Sequence, residues 1–253
     1  MDVLTLCRLK LKTWIRLYIF VKKSMALKIA FSNQKGGCGK STATILTATA
    51  LSDQPFEYKV LVIDLDKQLS IFQQRQYDIE DKKSVNFDVI KFDQLNDFDN
   101  SIEHLDKDYD IILIDSGGKL DDNLPVEFQT ITRVLSNIDI LLIPFTSGNF
   151  SLESTIEYIN FVNDFKRSSG LEFEMYGFIN KFRNINSNVN LALDMAKISK
   201  AANIKMMRTR LKNYTLFESC DTSKTLYDEN SNKADKLNFT VWLNELNNKI
   251  LTS

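Results

Sequence analysis

Lys35-Gly36-Gly37-Cys38-Gly39-Lys40-Ser41-Thr42 follows the apolar run Ile29-Ala30-Phe31 and precedes Ala43 to Ala48, a stretch that reads as a helix. Strand, glycine-rich loop and helix is the context of a phosphate-binding loop. Glycines let the backbone curl until successive N–H groups point inward at an anion. A helix beginning near Lys40 aims the positive end of its dipole at the same place. Lys40 supplies a point charge for the β- and γ-phosphates of a nucleotide, and the Ser41 hydroxyl is a ligand for Mg²⁺. Gly36, Gly37, Cys38, Gly39, Lys40, Ser41 and Thr42 are therefore the expected nucleotide-binding residues.

Around this loop, short apolar runs alternate with helical stretches. Strand-like runs cover 59–63, 87–92, 111–114, 138–143 and 176–179. Helical candidates cover 42–52, 100–105, 123–135, 152–167, 189–201 and 236–251. Runs that are apolar almost throughout suit strands covered on both faces, so the expected fold is α/β, with a mostly parallel, doubly wound sheet flanked by helices. The 253 residues are enough for one large domain with a sizeable core, placed at 25–253. Gly170 marks a turn between a helix and a strand.

Two further segments end in carboxylates. Val60 to Ile63 is followed by Asp64-Leu65-Asp66, and Ile111 to Ile114 by Asp115. Acids at the C-terminal ends of parallel strands sit where ligands bind in open α/β sheets. Spacing by two would put Asp64 and Asp66 on one side if the strand continued. Asp115 follows Lys40 by about 75 residues and delivers one carboxylate beside a metal, as the Walker B pattern does. Ser41, Asp64 and Asp115 are the metal candidates, with Asp64 acting through bound water.

Together these motifs resemble the ParA/MinD family of deviant Walker A ATPases, over roughly residues 26–250. The generic loop opens with glycine, whereas this chain has Gln34 there and a second lysine, Lys35. The resemblance implies that Lys35 reaches the nucleotide of a partner subunit and that two subunits sandwich two ATP molecules. It also implies that Asp66 orients the attacking water, from a segment similar to Asp-x-Asp-Pro-Gln. Lys35, Lys40 and Asp66 are thus the expected catalytic residues. Lys67 replaces the usual proline and Leu69 a common glycine. Ser116-Gly117-Gly118 stands where the family has threonine and two prolines, in a segment that senses the γ-phosphate. Asn180 occupies the place where relatives contact adenine, and 208–226 resembles the family's late nucleotide-lining loop without its usual proline.

The implied activity is slow, partner-stimulated ATP hydrolysis with ATP and Mg²⁺. It would serve segregation of a plasmid or mobile element by a cytoplasmic, nucleoid-associated homodimer that binds nonspecific DNA and meets a cargo-bound adaptor. Lys197, Lys200, Lys205, Arg208, Arg210 and Lys212 face only Asp194 in opposition. ParA proteins bind DNA through this part of the chain, so Lys205, Arg208, Arg210 and Lys212 are the DNA-binding candidates. A solvated charged face is the other reading of that cluster.

The alternative function is that of a MinD-like regulator on membranes. Such relatives carry a basic amphipathic tail. Here Phe239, Trp242, Leu243, Leu246 and Ile250 form a stripe with few late cations, which suits a core helix, so membrane binding is not expected. An iron–sulfur reductase needs paired cluster cysteines, and Cys7, Cys38 and Cys220 are scattered. That usage fits a reducing compartment. His104 reads as a surface helix residue. Residues 1–24 carry Arg8, Lys10, Lys12, Arg16, Lys22 and Lys23 against Asp2, a net +5 in a chain whose total is −1. The segment is read as a basic amphipathic extension outside the fold, dispensable or ahead of a true start at Met25 in preference to lying on a membrane surface. It lacks a signal-peptide core and is too interrupted to span a bilayer.

Overall fold

In the computed structural model, residues 25–53, 56–92, 95–117, 125–147, 149–214, 217, 221–223 and 233–252 are described. The extension 1–24, Gly118, Cys7, Cys220 and much of the late loop within 208–226 lie outside them, as does the Ile250 side chain.

The elements follow in the order β1 (Leu27–Asn33), α1 (Lys40–Ser52), β2 (Val60–Asp64), α2 (Ser70–Glu80), β3 (Asp88–Lys91), α3 (Leu95–Asp108) and β4 (Ile111–Gly117). Then come α4 (Pro125–Ser136), β5 (Ile140–Phe145), α5 (Asn149–Ser169), β6 (Glu174–Ile179), α6 (Asn186–Ala201), β7 (Lys205–Met206) and α7 (Lys233–Thr252). Among the described residues the sheet has seven strands, all parallel, in the order β3-β2-β4-β1-β5-β6-β7. The expected doubly wound sheet is thus observed.

Alternation along each strand divides the core in two. Leu27, Ile29, Phe31, Val60, Val62, Ile111 and Leu113 face α1, α2 and α7. Ala30, Leu61, Ile63, Ile112, Ile114, Leu141 and Ile143 face α3, α4, α5 and α6. Helix α1 is buried nearly all round, so its Thr44, Thr47 and Thr49 hydroxyls donate to carbonyls one turn back. That satisfies polar groups which would otherwise be stranded in the core. In α7, Phe239, Trp242, Leu243 and Leu246 are buried, and the Trp242 ring meets Phe178 edge-on at 5.1 Å. The stripe of α7 is therefore a packing face.

Two elements differ from the sequence-based expectation. Helix α2 has no apolar repeat, because its buried face is Ile71, Arg75 and Asp78. Strand β7 is only two residues long. Gly170 is in the left-handed region, as a helix-ending turn requires.

Strand β1 lies at the centre, between β4 and β5. The connection after β1 runs to β2 on one side and that after its neighbour β4 crosses to β5 on the other, which opens a crevice at their C-terminal ends. The phosphate loop begins there.

Candidate nucleotide site

The loop after β1 takes its shape from two glycines. Gly37 has φ +73° and Gly39 φ +90°. Gly39 has a second constraint, because a Cβ there would lie 2.3 Å from Asn180 Nδ2. No side chain caps the N-terminus of α1, where Gly39 is the cap residue. The leading N–H groups of a helix have no partner within it, so this uncapped end offers donors to an anion. Lys40 opens the helix and is 8 % exposed; Ser41 and Thr42 follow it, half-buried. Gly36 and Gly37 line the exposed rim. Cys38 is buried, and its thiol donates to the Lys35 carbonyl at 3.1 Å. Burial pushes that thiol's pKa up, so it stays protonated.

Asp64 and Asp115 are register neighbours on β2 and β4, with Phe31 beside Asp115 on β1. Both carboxylates project toward the α1 face and both are fully buried. Their surroundings differ. Asp64 Oδ2 accepts the N–H groups of Ile71 and Phe72 at 3.0 Å each, and Oδ1 accepts that of Asp66 at 3.2 Å. It therefore caps α2, which no local side chain does. Burial raises its pKa, and the three N–H groups work against that rise. Asp115 has no such shell. The Ser41 hydroxyl lies close enough to favour its charged form, yet among the described residues neither carboxylate oxygen completes a hydrogen bond. Burial pushes its pKa up to about 7. An orphaned buried carboxylate beside a serine and a buried lysine fits a divalent cation held with phosphate oxygens.

Strand β2 ends at Asp64, so Asp66 stands in the following turn, not on a continued strand. Its Oδ1 accepts the Gln68 N–H at 3.0 Å. Its Oδ2 lies 3.4 Å from where a Gly117 Cβ would be, so the carboxylate sits against the end of β4. Leu69, standing where glycine is common, has φ +47°. This is a strained conformation for a leucine.

Asn180 is brought to the loop but is engaged there. Its Nδ2 donates to the Cys38 carbonyl at 2.9 Å and its Oδ1 accepts the Lys181 N–H at 2.9 Å. The amide thus buttresses the phosphate loop from the end of β6. Lys181, which the sequence pattern does not single out, has its Cε 3.5 Å from the position of a Gly39 Cβ. Asn33 escapes the sequence pattern as well. It is fully buried, and nothing in the sequence separates a buried amide from an exposed one.

The cationic candidates lie elsewhere. Lys205, on β7, is tied to Glu174 at 2.6 Å. Lys197 pairs with Asp194. Arg208, Arg210 and Lys212 are exposed, while Met207 before them and Leu211 among them are buried in the core. Helix α7 holds this segment by its backbone: Glu245 accepts the N–H groups of Arg208 and Thr209, and Asn238 that of Lys212. The Arg210 guanidinium stacks on Phe182 at 4.9 Å. Segment 207–212 also follows β6, with Met207 N–H on Gly177 and Leu211 N–H on Ile179. It therefore ends beside Asn180, next to the phosphate loop.

The model of the CobQ/CobB/MinD/ParA nucleotide binding domain matches residues 29–216. The chain belongs to this family. Among solved structures it is similar to a protein of Borrelia burgdorferi B31 described as a plasmid partition protein bound to AMPPNP, with TM-score 0.64, 21 % identity, and 88 % of this chain and 99 % of that one covered. The MinD cell division protein of Aquifex aeolicus follows, with TM-score 0.62, 15 % identity, and coverage of 90 % and 98 %. The pnob8 ParA gives TM-score 0.54, 17 % identity, and coverage of 90 % and 96 %. At these identities the likeness shows the P-loop fold alone. No curated protein matches the chain in sequence. Among the described residues, no helix is long and apolar enough to cross a membrane.

Proposed function

We propose that this ParA/MinD-type protein is a partition ATPase. ATP closes a homodimer, the dimer binds DNA without reading its sequence, and a cargo-bound adaptor stimulates hydrolysis, so that a plasmid or mobile element is segregated on the nucleoid. The observation that carries this reading is the built phosphate cradle: an uncapped helix end, a buried Lys40 and an orphaned Asp115, with a second lysine, Lys35, at its mouth.

Within the cradle each residue has its own task. The N–H groups of the loop and of α1 bind the β- and γ-phosphates, and Lys40 balances their charge. Lys35, half-buried at the loop entrance, is the residue that would reach across the dimer. Ser41 and Asp115 would hold Mg²⁺ directly and Asp64 through water; bound there, the ion would neutralise the charge that develops on the phosphates. Asp66, against Gly117, orients the water that attacks the γ-phosphate. Asn180 keeps the loop in shape. Arg208, Arg210 and Lys212 contact DNA phosphates, with Lys205 contributing once it leaves Glu174. Each contact is weak, so doubling their number by dimerisation is what lets nucleotide gate binding. The path from Cys38 through Asn180 to Phe182 and Lys212 supplies a physical link between the two places.

ATP-dependent pelleting with DNA and, separately, with liposomes tests this reading. The expected result is DNA pelleting that requires ATP, with a dimer on sizing chromatography and a longer-lived dimer for Asp66→Ala. ATP-dependent pelleting with liposomes alone would establish the MinD-like membrane regulator instead. The buried stripe of α7 argues against that outcome.

A further inference from the structure

Three consecutive residues just ahead of the phosphate loop each hold helix α5. The Tyr158 hydroxyl donates to Ser32 Oγ at 2.8 Å. Asn33 Nδ2 donates to Thr155 Oγ1 at 2.9 Å and to the Pro144 carbonyl at 2.9 Å. Gln34 Nε2 donates to the Ser154 carbonyl. Ser32, Asn33, Thr155 and Tyr158 are all fully buried. One more bond of this group leads to the site: Asn33 Oδ1 accepts the backbone N–H of Lys35 at 3.0 Å.

We infer that Asn33, oriented by Thr155 of α5, is the positioning residue for Lys35. The amide has one acceptor and two donor hydrogens, and all three are used. Two bonds anchor it to β5 and α5, and the third fixes the peptide that carries Lys35. A lysine side chain is long and rotamer-rich, so an ammonium that must reach a neighbouring subunit gains most from a backbone that does not wander. The glycines at 36 and 37 give the loop no stiffness of their own, which leaves the anchor on the β1 side to supply it. Lys40 is held independently, by α1 and by Asn180 through Cys38. Loss of the Asn33 anchor should therefore loosen Lys35 and spare the phosphate cradle within the same subunit.

The inference rests on the proposed role of Lys35 across the dimer, and the experiment separates the two. Monomer affinity for ATP and the dissociation constant of the ATP-bound dimer are measured for wild type, Lys35→Ala, Asn33→Ala, Thr155→Val and Thr155→Ser, with melting temperatures alongside. Thr155→Val keeps the shape and removes the acceptor; Thr155→Ser restores it. Expected is about tenfold weaker dimerisation for Asn33→Ala and Thr155→Val, recovery in Thr155→Ser, and ATP affinity of the monomer within about twofold of wild type. Asn33→Ala added to Lys35→Ala should weaken the dimer no further, because the residue it positions is gone. An equal loss in both backgrounds, an equal loss of monomer ATP affinity, or no effect of Thr155→Val while Lys35→Ala breaks the dimer would each overturn the inference. Undiminished dimerisation of Lys35→Ala would overturn the cross-subunit role itself.

Discussion

The phosphate loop, at the centre of the sheet, and the segment 205–212, at its edge, are both cationic stretches, yet they are built on opposite lines. In the loop the cation is buried, the donors are backbone N–H groups of fixed direction, and the nearby acid is left without a partner. In 205–212 the backbone is pinned by Glu245 and Asn238, while the charged ends stand in water and one of them is already paired with Glu174. The first arrangement is organised in advance for a single small polyanion. The second suits a ligand with many equivalent phosphates, where no one contact decides the outcome. Substitutions should therefore have steep, local effects in the loop and shallow, additive ones in the segment.

The largest effect belongs to Lys40→Ala. Removing the buried charge should lower ATP affinity by roughly 100-fold or more, measured by titration calorimetry. Retained micromolar binding would erase the distinction between the two regions.

Asp115→Asn sharpens it through pH. Asp115 titrates near 7 in the fold, against 3.8 for an ordinary carboxyl. Between those values the native protein keeps a proton that the unfolded chain has released, so stability falls as pH rises from about 4 to about 7. The asparagine variant does not suffer this loss. In magnesium-free buffer its advantage over wild type should be near zero at about pH 4 and grow to at most ~4 kcal/mol by about pH 8. Urea denaturation at both values measures the difference, and a gap that does not widen would mean Asp115 is not poised as described.

Gly39→Ala comes next. The new Cβ meets Asn180 Nδ2 in a left-handed backbone, so the fold should lose about 2 kcal/mol and the loop its buttress. A thermal melt unchanged from wild type would show that the loop yields there more easily than its geometry implies.

The smallest effects are expected in the cationic segment. Arg210→Glu should weaken DNA binding and flatten the plot of log affinity against log salt by about one unit for each DNA phosphate left without its cation. Lys205→Ala should do less, since Glu174 already balances that charge. A larger loss for Lys205→Ala than for Arg210→Glu would mean that leaving Glu174 costs Lys205 little and that the shallow ranking of these cations is wrong.

Much of the site was legible because its chemistry sits where local rules are strict. Apolar strands ending in Asp64 and Asp115, and glycines between a strand and a helix, leave few alternatives. Helix α2 was not legible. Its inner face carries Arg75, which donates to the Phe87 carbonyl at 2.7 Å, and Asp78, which accepts from Thr222 and Lys83. A core-facing stripe made of partnered charges looks like surface to any reading based on hydrophobic period. The same limit applies to Asn33 and Asn180, whose amides act inside the protein. Asp64 and Asp66 looked equivalent by spacing, and only the observed end of β2 separates a carboxylate that caps a helix from one that stands in a turn.

The central place of β1 also sets a timetable for synthesis. Phe31 is in register beside Asp115 on one side and Leu142 on the other, neighbours that leave the ribosome roughly 80 and 110 residues after it. Until β4 and β5 emerge, β1 lacks the two neighbours that cover its edges, the condition in which strands pair with the wrong chain. The cradle can therefore close only after β5 has left the ribosome, and a chain released before β5 would carry the whole loop motif with no means of shaping it.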